Sequence, residues 1–189
     1  MPRAGLSGDA VVARAAELLE ANPTADLTLA AVAESLGVRT PSLYKHVDGL
    51  PGLRRGIMIR AKRSLGGALA HATMGRSRDE AVRSLAAAYR LWALDNPAQY
   101  GLTVSAPDPS DDEDRAASED ALAVLLAVLG GYDLRGGDAI DAARFLRSAL
   151  HGFVSLETTG AFTLAADLER SYAKLIESVI VSLASWSQS

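Results

Sequence analysis

Apolar residues recur three and four positions apart along nearly the whole of this 189-residue chain. The strict alternation that marks a half-buried strand is missing. An all-α fold is therefore expected. The first helix covers about residues 7–21, with Val11, Val12, Ala15, Leu18 and Leu19 on one stripe, and Asn22-Pro23 stops it. Thr28 caps a second helix whose inner face is Leu29, Val32, Ala33 and Leu36, and Gly37 closes it where a positive φ is needed. Thr40 caps a third, with Pro41 in its first turn and Leu43 and Val47 facing inward. After the Asp48-Gly49 break a long helix runs over residues 50–74, with Gly66-Gly67 as a place for it to bend. Ser77 caps the next, ended by Asn96-Pro97. Helices over residues 111–129, 138–159 and 165–185 complete the chain.

With 49% apolar residues the chain can bury one or two small cores. It has no cysteine, which removes disulfides and thiolate metal sites and fits a reducing, cytoplasmic setting. Residues 1–5 open no apolar signal core. The longest unbroken apolar run, residues 121–129, is under half of the roughly 20 residues of a membrane span, so no membrane partner is expected. Net charge is −4 but uneven: +3 over residues 1–63 and −7 over residues 64–189. Only the basic head suits an anionic partner.

That head holds the stretch Val32-Ala33-Glu34-Ser35-Leu36-Gly37-Val38-Arg39-Thr40-Pro41-Ser42-Leu43-Tyr44-Lys45-His46-Val47. Two short helices joined at one glycine make a helix-turn-helix, whose second helix lies in the DNA major groove. The outward residue types suit that partner. Thr40 and Ser42 donate to phosphates or base edges, Arg39 and Lys45 neutralise phosphates, Tyr44 offers a flat ring and a hydroxyl, and His46 can donate to a phosphate. Thr28, at a helix N-terminus, faces the DNA backbone.

Leu27-Thr28-Leu29, Val32-Ala33, Leu36-Gly37-Val38 and Leu43-Tyr44-Lys45-His46-Val47 resemble the DNA-binding domain of TetR-type (TetR/AcrR) transcriptional regulators, over about residues 7–56. The resemblance implies that Tyr44, Lys45 and His46 grip phosphates, while Arg39, Thr40, Pro41 and Ser42 read bases. One departure stands out. The family usually carries a lysine at the start of the fourth helix, where this chain has Asp48-Gly49-Leu50-Pro51-Gly52; Arg54 and Arg55 are the candidates to replace it. Further on, His151-Gly152-Phe153-Val154-Ser155-Leu156-Glu157 and Gly160-Ala161-Phe162 are similar to the C-terminal domain named for a Trp-His-Gly motif, with Leu150 in place of the Trp.

The resemblance implies a helix-turn-helix domain over residues 1–56 and a helical ligand-binding and dimerisation domain over residues 57–189. It also implies a ligand-released repressor of a palindromic operator, and a homodimer built on the last two helices. The apolar stripes Ile140, Ala143, Leu146, Leu150, Val154 and Leu175, Val179, Leu183 suit that interface. An unknown small-molecule effector would be lined by Tyr89, Trp92, Tyr100, Phe145, His151 and Phe162, the large or polar-tipped side chains of the body.

The run Asp111-Asp112-Glu113-Asp114 reads as a solvated helix start, with a calcium site as the alternative. Other functions have little to stand on. His46, His71 and His151 show no metal spacing, there is no phosphate-binding glycine loop or Gly-x-Ser-x-Gly elbow, and no cofactor is expected. His151 and Glu157, six apart, fall on different faces of one helix and make a poor acid–base pair. The remaining alternatives are a small enzyme and an all-α adaptor that binds protein.

Overall fold

The computed structural model describes residues 6–23 and 25–186; the N-terminal five residues, read above for a signal core, lie outside it. Among the described residues the chain forms nine helices and no strand: α1 (Gly8–Ala21), α2 (Leu29–Ser35), α3 (Thr40–Leu43), α4 (Gly49–Thr73), α5 (Arg78–Asp95), α6 (Pro97–Thr103), α7 (Asp112–Gly130), α8 (Gly136–Thr158) and α9 (Leu168–Trp186). They gather into two compact units, one of residues 1–63 and 96–115, the other of residues 64–95 and 116–189. No helix of the described residues is long and apolar enough to cross a membrane.

In the first unit the apolar stripes of α1, α2, α3 and α4 meet in one core of Val11, Ala15, Ala16, Leu27, Val32, Ala33, Leu43, Leu53 and Ile57. Ser7 caps α1 and Thr28 caps α2, each side chain accepting the N–H three residues on. Helix α4 crosses α1 at a glycine. A Cβ on Gly56 would stand 2.6 Å from a Val12 methyl, so the two backbones approach at a distance only glycine allows.

Helix α6 has no counterpart in the periodicity. Its start is nevertheless marked by Asn96 at the cap position and Pro97 in the first turn, where a missing N–H costs nothing. Asn96-Pro97 thus ends one helix and opens the next. The Glu20 carboxylate of α1 accepts the Gln99 N–H at 2.8 Å and the Ala98 N–H at 3.3 Å, capping α6 from a different helix.

The acidic run opens α7 as expected, with Asp112 and Glu113 exposed, but it is also paired to side chains far away in the sequence. Arg55 donates to both oxygens of Asp111 and, at 3.1 Å, to Glu113. Arg63 pairs with Glu113 at 2.9 Å. Lys62 pairs with Asp114 where both side chains are buried, 4% and 2% exposed. The second Asp114 oxygen accepts the Asp108 N–H at 3.0 Å. Three of the four acids therefore hold α4, and among the described residues no His, Asp and Glu cluster is placed to hold a metal ion.

Asp111 makes this clamp sensitive to acid. The hydrogen bond from Arg55, helped by the Asp114 backbone N–H, lowers its pKa from 3.8 to about 2. A carboxyl whose folded value lies below its unfolded one stabilises the fold above about pH 4, and that stabilisation disappears as pH falls through about 2. The thermal midpoint of the wild type is expected to exceed that of Asp111→Asn at neutral pH and to converge on it near pH 2. A constant gap across that window would remove Asp111 from the clamp.

In the second unit α5 lies innermost, burying Ala81, Val82, Leu85, Ala86, Tyr89, Arg90, Trp92 and Ala93, and packs on α8 and α9. Helix α4 runs unbroken through Gly66-Gly67, and Gly66 faces Ala121 of α7 within van der Waals distance. The start of α5 is locked to the end of α7. Arg78, at φ +50, donates to the Gly131 carbonyl at 3.1 Å and lies over the Tyr132 ring, and the Tyr132 hydroxyl donates to Asp79 at 2.8 Å. Ala143, Leu146, Leu150, Val154, Val179 and Leu183, expected at a dimer interface, are instead buried within the chain. Helices α5, α8 and α9 pack on one another, which accounts for that burial. Of the residues named for that interface, Ile140 is exposed and Leu175 half-buried. On α8 and α9 the exposed large apolar side chains are Ile140, Leu156 and Val181, with Phe162 and Leu164 in the connection between them.

Candidate nucleic-acid interface

The segment between α2 and α4 is shaped by a few backbone bonds. Gly37 takes φ +66, and a Cβ there would meet nothing, so the conformation rather than crowding calls for glycine. The Val38 N–H returns to the Ala33 carbonyl at 3.0 Å, fixing the angle at which the chain leaves α2. Arg39 is extended and stands at the cap position of α3, without a side-chain cap bond. Thr40 is therefore the first helical residue rather than the cap. The α-helix itself ends at Leu43. It continues to Val47 as a turn, with the His46 and Val47 N–H groups both donating to the Leu43 carbonyl at 2.8 and 3.0 Å. Bonds of the i→i+3 kind tighten this end of the rod.

Leu43 anchors the rod, fully buried among Val32, Ala33 and Leu53. Around it the predicted residues turn outward. Arg39, Pro41, Tyr44 and Lys45 are exposed, Tyr44 to 61%, and Thr40, Ser42 and His46 are half-buried. Thr28 is exposed at the N-terminus of α2, its hydroxyl oxygen accepting the Ala31 N–H at 3.2 Å. The N-terminus of α1 closes on the far end of the segment, where a Cβ on Gly8 would stand 3.2 Å from the His46 carbonyl oxygen. An exposed tyrosine beside two exposed cations, on a rod pinned by one buried leucine, is a surface that offers donors and positive charge with no acidic partner among the described residues. Arg55 is not part of it, because its guanidinium is committed to Asp111 and Glu113.

The six residues named for a ligand fall in several places. Tyr89 and Trp92 are buried on α5, where the Trp92 indole N–H donates to Ser64 at 3.0 Å. Tyr100 is buried on α6, in the first unit. Phe145 of α8 packs on Trp186 of α9 with ring centroids 5.4 Å apart. Phe162 packs on Phe153 at 4.9 Å, and Phe153 in turn on Tyr172 at 5.0 Å. His151 is half-buried on α8, and burial, aided by Arg147, pulls its pKa below the usual histidine value. Glu157 is taken. It accepts two 2.6 Å bonds from Arg90, whose third nitrogen donates to Glu169 at 2.6 Å. An open groove of about 500 Å³ between α5 and α9 is lined by Arg83, Arg90, Leu91, Tyr172, Ile176 and their neighbours, and by none of the six.

Two features escaped the sequence reading. Lys62 lies near Ile59, Leu65 and Leu69, all buried residues of α4, and a lysine so placed signals a buried partner. Nothing local flags Glu20, since its partners are backbone groups 78 and 79 residues away.

A family model described as the tetracyclin repressor-like C-terminal domain matches residues 82–179. The HTH-type transcriptional regulator Rv0681 of Mycobacterium tuberculosis is 42% identical over 158 residues, covering 83% of this chain and 72% of that protein. The chain belongs to the TetR family of transcriptional regulators. A second member, the HTH-type regulator YobS of Bacillus subtilis, is 32% identical over 182 residues, 96% of this chain and 95% of that one. The fold is shared with the TetR Q116A protein of Acinetobacter baumannii AYE, whose structure was determined in complex with minocycline. The TM-score is 0.73 at 18% identity, covering 98% of this chain and 100% of the other. This TetR-family protein is thus a helix-turn-helix regulator that binds DNA.

Proposed function

We propose that this regulator is a repressor that holds a palindromic operator as a homodimer and is released by a small molecule. Residues 1–56 bind DNA in this reading, and residues 57–189 carry dimerisation and the effector site. The observation that carries it is the outward face of residues 39–46, with Tyr44 largely exposed while Leu43, next to it, is fully buried. Tyr44, Lys45, His46 and Thr28 contact phosphates; Arg39, Thr40, Pro41 and Ser42 face base edges. Two such segments one helical turn of DNA apart need a twofold mate. Ile140, Leu156 and Val181, left outside on α8 and α9, supply apolar surface for it. The effector reading is supported by the minocycline complex of the structural neighbour, and a ligand acts here only through its differing affinity for the two states. Its place of action would be the cytoplasm, where the DNA is.

The experiment is an operator titration. Tyr44→Ala is expected to weaken binding by about 1.5–3 kcal/mol, the worth of a hydrogen bond to a charged group, and to do so evenly across operator sequences. Ser42→Ala and Thr40→Ala should instead change base preference at a few positions. An unaltered affinity in the Tyr44 variant would end the assignment of this face to DNA.

A further inference from the structure

The groove between α5 and α9 is lined by buried Ala86, Tyr172 and Ile176 and by exposed Leu91, Leu94 and Ala173. Its volume of about 500 Å³ lies within the roughly 300–1,000 Å³ of small-molecule sites. Two ion pairs bridge it from α5 to α9. Arg83 donates to Glu177 in two bonds of 2.7 and 2.8 Å, and Arg90 donates to Glu169 at 2.6 Å. We propose that this groove binds an organic monocation with a compact apolar body, and that such a molecule is the class of effector this regulator takes. The second half of the proposal rests on the reading of the protein as an effector-released repressor; the first half does not.

Charge decides the sign of the ligand. Arg83 and Glu177 satisfy each other. Arg90 faces two carboxylates, giving two bonds to Glu157 and one to Glu169. Glu157 is 9% exposed and Glu169 77%, so water and salt screen the second pair far more than the first. The Arg90 charge therefore belongs mainly to Glu157, and Glu169 stands at the groove as a carboxylate with a weak hold on its cation. Two arginines face three carboxylates, a balance of −1. The exposed cations of α9, Arg170 and Lys174, do not line the groove. An anionic ligand would meet that surplus and have to displace Glu169 or Glu177, whereas a cation is drawn to it. Spacing decides the shape of the ligand. Arg83 and Arg90 are seven residues apart on α5, about 10 Å along its axis. A peptide helix laid in the groove would break both bridges, but a compact molecule seated between them leaves both closed.

The test is calorimetric titration of the whole protein with tetraphenylphosphonium and with tetraphenylborate, ions of matched size and shape but opposite charge. The phosphonium is expected to bind the wild type about tenfold more tightly than the borate. Glu169→Gln should weaken the phosphonium about fivefold, the worth of one partly exposed ion pair, and narrow the gap between the two ions. Ala173→Phe fills the groove from an exposed position and should abolish phosphonium binding, with the thermal midpoint of the unliganded protein close to that of the wild type. Equal binding of the two ions overturns the proposal. So does a phosphonium affinity untouched in Ala173→Phe, or a wild type that binds neither ion. A phosphonium bound in the groove while a duplex selected by the protein stays bound keeps the site and overturns its role in release.

Discussion

Asp114→Ala is expected to destabilise the first unit by about 3–5 kcal/mol, because it leaves the Lys62 ammonium buried without a counter-charge. Asp114 has two roles. One oxygen receives Lys62, and the other receives the Asp108 N–H at 3.0 Å, so its loss also frees the loop that leads into α7. Most of the cost comes from the stranded cation rather than from the lost attraction, which gives the prediction its sharpest form. Lys62→Met combined with Asp114→Leu places apolar groups of similar bulk at both positions and should recover most of the stability, as buried pairs replaced together often do. Denaturant titration of both variants decides the matter. A double variant as unstable as Asp114→Ala would show that the site is held by something other than charge.

Arg90→Met has an effect of similar size, about 3–5 kcal/mol, in the second unit. Arg90 ties three helices together. It leaves α5, makes a two-pronged contact with Glu157 of α8 and a single one with Glu169 of α9, and covers the Tyr172 ring with its guanidinium 5.1 Å from the centroid. Its side chain is 11% exposed and that of Glu157 9%, whereas Glu169 is largely in solvent. Losing the arginine strands Glu157, not Glu169. Glu169→Ala should therefore cost at most about 1 kcal/mol, the ordinary value of an exposed pair. Melting curves that place the two variants side by side would refute this division of the network.

The parts of the molecule that could be seen in advance are those set by neighbours in the chain. Thr28 caps α2, Gly37 takes a positive φ, and Leu43 turns inward because each depends on residues within four positions. What stayed hidden depends on distance along the chain. Helix α6 has only seven residues, too few for a periodic signal, and its two local markers also serve as stop signals. The acidic run pairs with residues fifty or more positions away. An apolar stripe on α8 or α9 tells that something covers it but not what, which is why residues assigned to a partner chain turned out to be buried within this one.

The clamp between α4 and the start of α7 also changes how the first unit meets an electric field. Adding residues 96–115 to residues 1–63 turns the local charge from +3 to −1, since the added segment holds five acids and one arginine. Attraction by net charge is gone, yet the clamp adds no negative pole: residues 55–63 hold four cations, and residues 96–115 hold five acids and one arginine, so the paired block is neutral. What a duplex meets is the local field of the exposed Arg39 and Lys45, felt over about one Debye length, about 8 Å at physiological ionic strength. Steering of the encounter is therefore confined to the reading segment and grows in dilute buffer, where that length increases.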